Sequence, residues 1–95
     1  METRPMANEL LLMVANDYNV SIGDVVGSGR EFEAVDVRTI IAMTLLKFGH
    51  TKKAISKVLD KKDHTTIINL VRRGEKREDL KVASEKYYKI LNVNK

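Results

Sequence analysis

Between Lys62 and Arg73 the chain places side chains of one chemical kind at helical spacing. At 100° per residue, Lys62, Thr65, Thr66, Asn69, Arg72 and Arg73 share one arc, and Ile67, Ile68, Leu70 and Val71 share the other. The outer arc holds only hydroxyl, amide and cationic groups, which can bond base edges and phosphate oxygens. No carboxylate stands on that arc to repel a polyanion. The plainer account is a surface helix with ordinary polar residues. The start of this helix adds a second argument. Residues at the N-terminus of a recognition helix point deepest into a major groove, and the free N–H groups there favour a phosphate. Asp63 is placed either to cap the helix or to accept from a cytosine amino group. His64 falls on the apolar side of the wheel. There it either packs or, from the first turn, reaches past the helix end.

Six helical segments are expected to position these groups. The first covers about 8–18, with Leu11, Val14 and Tyr18 at helical spacing. A short second helix has Ser21 as N-cap and Gly27 as stop. The third covers about 36–48, with Val37, Ile40, Ile41, Thr44, Leu45 and Phe48 as its core face and Gly49 as its end. The fourth covers about 51–59, with Ala54, Ile55, Val58 and Leu59 as an apolar stripe and Lys52, Lys53 and Lys57 outside it. Asp60-Lys61-Lys62 forms a tight connection. The fifth runs from near Asp63 to Arg73, before Gly74, and the sixth covers about 76–91. Two short helices joined by about three residues, here over about 51–73, have helix-turn-helix spacing.

Size and charge narrow the classes. Ninety-five residues make one expected domain, 1–95, without room for a deep substrate cavity. The chain has 43% hydrophobic and 32% charged residues, a globular balance, and its few glycines and single proline favour an all-α fold. Cysteine is absent, which excludes disulfides and thiolate metal sites. The longest apolar run, Leu10 to Ala15, is too short to span a bilayer, so a cytoplasmic, nucleoid-associated location is expected. Positive charge is concentrated in the middle. Residues 1–35 carry two cations against six carboxylates, 36–77 eleven against four, and 78–95 four against three. Such a basic segment is the footprint of a nucleic-acid partner, or else a solvated lysine-rich surface.

With these residues in place, a family resemblance emerges. Asp63-His64-Thr65-Thr66, preceded by Lys62 and followed by Ile67-Ile68, resembles the signature of the C-terminal DNA-binding domain of the bacterial replication initiator DnaA. The segment from Val37 to Met43 resembles the start of that domain's central helix, and Asp17 to Val26 its opening helices. The likeness is expected over about 7–91. It implies an all-helical fold with a helix-turn-helix of the Trp-repressor type. It also implies base contacts from Lys62, Asp63, His64, Thr65 and Thr66, with Asn69 where the family commonly has a base-contacting histidine. Arg38 matches an arginine that enters the minor groove. Lys52 and Lys53, with Arg72 and Arg73, stand as contacts to the DNA backbone.

Three departures bear on the target sequence. Asn69 favours adenine in bidentate pairing. The loop from Gly27 to Glu33 has one arginine and two acids where the family is basic. The turn at Asp60-Lys61-Lys62 lacks the family's glycines. The five glycines also offer no phosphate-binding loop, since none precedes a lysine, so the chain is not expected to be a complete ATP-driven initiator. Met1 and the short tails favour a stand-alone relative over a fragment.

Neither catalysis nor a cofactor is expected: the only histidines, His50 and His64, lie fourteen apart, with no HExxH motif. The expected partner is double-stranded DNA, with no membrane and no metal. Two alternatives stand beside it. One is a phage or mobile-element transcription regulator. The other is a helix-turn-helix that has lost DNA binding and docks onto a replication protein, which an exposed apolar stripe over Leu10 to Val14 would favour.

Overall fold

The computed structural model describes residues 3–27, 32–60 and 64–93, and the side chains of 7–27, 33–60 and 65–92. Six helices and no strand occur among them: α1 (Thr3–Asp17), α2 (Ile22–Val26), α3 (Phe32–Lys47), α4 (Lys52–Val58), α5 (His64–Glu75) and α6 (Glu78–Val93). The all-α reading from the sequence therefore holds.

The helix boundaries have local causes. Ser21 caps α2 by accepting from the Asp24 N–H at 3.1 Å, and Thr51 caps α4 by accepting from the Ala54 N–H at 3.0 Å. Helix α1 ends where Asn19 turns left-handed (φ 59°) and the Val20 N–H donates back to the Ala15 carbonyl at 2.9 Å. Helix α3 ends in the same way. Gly49 has φ 92°, and the His50 N–H reaches the Leu45 carbonyl at 3.1 Å. After α4 the left-handed residue is Asp60, φ 56°. A short polar side chain tolerates this region, so the turn does not depend on a glycine.

Helix α3 is the axis of the molecule. Val37, Ile40, Ile41 and Leu45 are buried, as the sequence predicts, but so are Ala34, Thr39, Ala42 and Met43. A helix apolar on nearly all sides must be surrounded, and α1, α2, α4, α5 and α6 all pack against it. Small hydroxyl residues serve the tight crossing with α6. Buried Thr44 and Ser84 each satisfy a hydroxyl on a carbonyl of their own helix, Ile40 at 2.7 Å and Lys81 at 2.8 Å. At the far end of α6, buried Tyr87 donates to the Asp17 carboxylate at 2.6 Å and fastens α6 to the end of α1.

Two boundaries differ from the sequence reading. Helix α3 starts at Phe32, before the expected position 36, because Ala34 already packs in the core. Helix α5 does not stop before Gly74 but runs through it to Glu75. Gly74 is buried at the crossing with α3. A Cβ there would strike the Met43 sulfur and come within 2.7 Å of Thr39 Cγ2. The missing side chain serves close packing rather than helix termination.

Candidate nucleic-acid interface

The α4–turn–α5 unit presents its outer surface beside the α3 axis. Helix α5 packs on α3, α4 and α6 through buried Ile67, Leu70 and Gly74, with Ile68 and Val71 half-buried. Thr65, Asn69 and Arg72 lie on the opposite side and are exposed, one helical turn apart along one strip. Thr66 and Arg73, the other edge of the expected arc, are only half-exposed, and Arg73 reaches toward α3. Lys52 and Lys53 are exposed in the first turn of α4. Lys62 and Asp63 lie outside the described residues, as does the side chain of His64, whose backbone opens α5. Exposed Lys57 in the last turn of α4 and exposed Lys76 just past α5 are two further cations on this unit. The outward place of Lys57 was legible from the helical stripe; the exposure of Lys76 was not.

Two arginines sit elsewhere than expected. Arg38 does not project into solvent, being only 7% exposed. Its Nε donates to the Val25 carbonyl at 2.6 Å, and its Nη2 to the Asp24 and Gly27 carbonyls at 2.7 and 3.2 Å. The last carbonyls of a helix lack partners within it, and this guanidinium supplies them for α2. Burial pushes its pKa down, with Asp24 acting in the other direction. Arg38 is thus the fastening of α2 onto α3, and the minor-groove role expected for it is withdrawn.

Arg73 is also held internally. Its Nη2 lies 2.7 Å from Asp36 Oδ1, and its Nη1 donates to Thr39 Oγ1 at 3.4 Å. Arg77 approaches the other Asp36 oxygen at 3.4 Å but forms its shorter bonds with Asp79, at 3.0 and 2.8 Å. These bonds hold the Asp79 carboxyl below its usual range and the Arg77 guanidinium above its own. A backbone contact from Arg73 was expected from its charge and arc alone. Asp36, brought alongside by α3, already occupies it.

Among the described residues no three His, Cys, Asp or Glu side chains gather as a metal site, and no helix is long and apolar enough to cross a membrane. An open polar hollow is lined by Tyr18, Asn19, Val20, Ser21, Asp24 and Glu33, none of them from α5. Its exposed acids suit neither a nucleic acid nor an apolar ligand.

Two short helices, the second with a buried aliphatic face and an outward polar strip, define a helix-turn-helix domain of the DNA-binding kind. The model of the bacterial DnaA protein helix-turn-helix family matches residues 7–73, more than half of the chain. The chain belongs to that family. The match stops at Arg73, so α6 lies beyond it and the likeness expected to about 91 is shown only that far. Neither the curated proteins nor the solved structures give a significant match.

Proposed function

We propose that this chain binds double-stranded DNA sequence-specifically, with α5 lying in the major groove. The observation that carries the reading is the exposed strip of Thr65, Asn69 and Arg72 on a helix otherwise fixed by its aliphatic face. Membership of the DnaA helix-turn-helix family supports it. In this reading Lys62 and Asp63, which precede α5 in sequence, and His64, Thr65, Thr66 and Asn69 of its first two turns meet base edges. Lys52 and Lys53 neutralise backbone phosphates, joined by Arg72, Lys57 and Lys76. Backbone contacts fix register, and base contacts carry the sequence information.

The target is a site related to the nine-base boxes of replication origins, altered where Asn69 faces the duplex. The corresponding role is in replication initiation or its regulation, in the cytoplasm at the nucleoid, without catalysis. The rival docking function has less support. Of the run from Leu10 to Val14, only Leu12 is well exposed, at 60%, while Leu10, Leu11 and Val14 are buried. An apolar stripe broken in this way offers a protein partner little area.

The test is a titration against a duplex containing the origin box and a scrambled duplex, repeated over a range of salt. Counterion release makes log K fall linearly with log salt, at a slope of about −0.9 per phosphate contacted. The expected result is a salt-dependent complex with the box preferred. Equal affinity for the two duplexes at physiological salt would reject sequence-specific recognition.

A further inference from the structure

Arg73 follows Asn69 by four residues and stands beside Arg72, yet it points away from the exposed strip. Its guanidinium lies 2.7 Å from Asp36, with the two side chains 27% and 17% exposed. Both partners are therefore partly withdrawn from water, where a charge pair is screened less than at the surface. Arg77 also meets Asp36, at 3.4 Å, but its shorter bonds go to Asp79, so it neutralises Asp36 less closely than Arg73 does. The group of Asp36, Asp79, Arg73 and Arg77 is electrically neutral as it stands.

We propose that Asp36 withholds Arg73 from DNA and so sets how many cations the recognition helix offers to the phosphate backbone. The inference rests on the DNA-binding reading above. Its physical ground is an exchange of one anion for another. To meet a phosphate, Arg73 must leave a half-buried carboxylate without its closest cation, a loss that offsets the new contact. Rolling the helix cannot bring both anions within reach, because Gly74 seats the α5 backbone directly against Thr39 and Met43. Asp36 thus acts from inside the protein as a stand-in for a phosphate. Arg72, exposed, carries the backbone contact that Arg73 does not.

The experiment measures binding to a random duplex over a salt series for four proteins: wild type, Asp36→Asn, Arg73→Ala and the double variant, each checked for helicity. Asp36→Asn keeps the shape of the side chain and removes its charge. Freed Arg73 should then steepen the log–log salt slope by about 0.9, and tighten binding about five-fold near 0.15 M salt, the effect of one more phosphate contact. Arg73→Ala alone should leave the slope unchanged, and in that background Asp36→Asn should have no effect.

An unchanged slope in Asp36→Asn overturns the inference while leaving DNA binding intact. So does a rise that persists in the double variant, which marks a general effect of net charge. If Asp36→Asn does not fold, Arg73→Ala decides by itself: a slope shallower by about 0.9 means that Arg73 touches phosphate in the wild type. Absence of any wild-type complex overturns the DNA-binding reading and this inference with it.

Discussion

The two edges of α5 look alike in composition and differ in use. Along the outer edge, Thr65, Asn69 and Arg72 face solvent. Along the edge nearer α3, Arg73 is ion-paired with Asp36 and donates to Thr39, and Gly74 lies closed against Met43. A polar residue on a helix can thus recognise a ligand or hold its own helix in place. Its type does not say which. The difference predicts that substitutions on the inner edge, and at the other internal fastenings, act on stability. Substitutions on the outer edge should act on binding.

The largest expected loss of stability comes from Arg38→Ala. It removes charged donors from three carbonyls at the end of α2. At about 1.5–3 kcal/mol for a hydrogen bond to a charged group, and with the bonds not additive, unfolding free energy should fall by about 2–3 kcal/mol. Urea denaturation measures the fall. The preference for the origin-box duplex over random duplex should persist in the protein that remains folded. A specific loss of that preference would return Arg38 to the interface.

Next in size is Gly74→Ala. Alanine gains up to about 1 kcal/mol of helix propensity over glycine. The added Cβ meets Thr39 Cγ2 at 2.7 Å and the Met43 sulfur closer still. Overpacking of this kind costs about 1–3 kcal/mol, so the net effect should be destabilising. A raised melting temperature would mean that α5 is free to shift, and the contrast between its two edges would weaken.

Much of this frame was legible in the sequence. Ser21 stands out as a cap because a hydroxyl precedes a helical segment, and the local chain alone satisfies the backbone there; the Thr51 cap, followed by two lysines, emerges only from the structure. The aliphatic face of α5 follows from period alone. The departures concern partners distant in sequence. Gly74 after two arginines has the pattern of a helix stop, since nothing local reveals the α3 side chains against it. Arg38 and Arg73 have the pattern of DNA contacts, since charge attracts phosphate as readily as the α2 carbonyls or Asp36. Choosing between those partners requires knowing which helices cross.

A control lies away from α5, at the contact of α6 with α1. Burial, followed by its bond to Asp17, pushes the Tyr87 hydroxyl pKa up from 10.0. A folded-state pKa above the unfolded one means that the native protein holds this proton more tightly. The associated stability is therefore complete below about pH 10 and is lost as pH rises toward the folded value. Tyr87→Phe should cost about 1 kcal/mol at neutral pH and reduce the alkaline loss of stability, with DNA binding unchanged. Melting curves from pH 7 to 11 for both proteins test it. An identical alkaline slope in Tyr87→Phe would assign the loss to other groups.

The smallest change in stability belongs to the outer edge, where it should accompany a clear change in recognition. Asn69 is exposed, and alanine in its place should alter unfolding free energy by no more than about 0.5 kcal/mol. Its amide can pair with adenine through two hydrogen bonds, worth about 1–3 kcal/mol of discrimination. The decisive measurement is the ratio of affinities for a duplex containing the origin box and a random duplex, compared between wild type and Asn69→Ala at physiological salt. A fall in that ratio of about 5- to 150-fold, with affinity for random duplex unchanged, is the predicted result. A ratio equal to that of the wild type would contradict the assignment of the exposed α5 strip to base recognition.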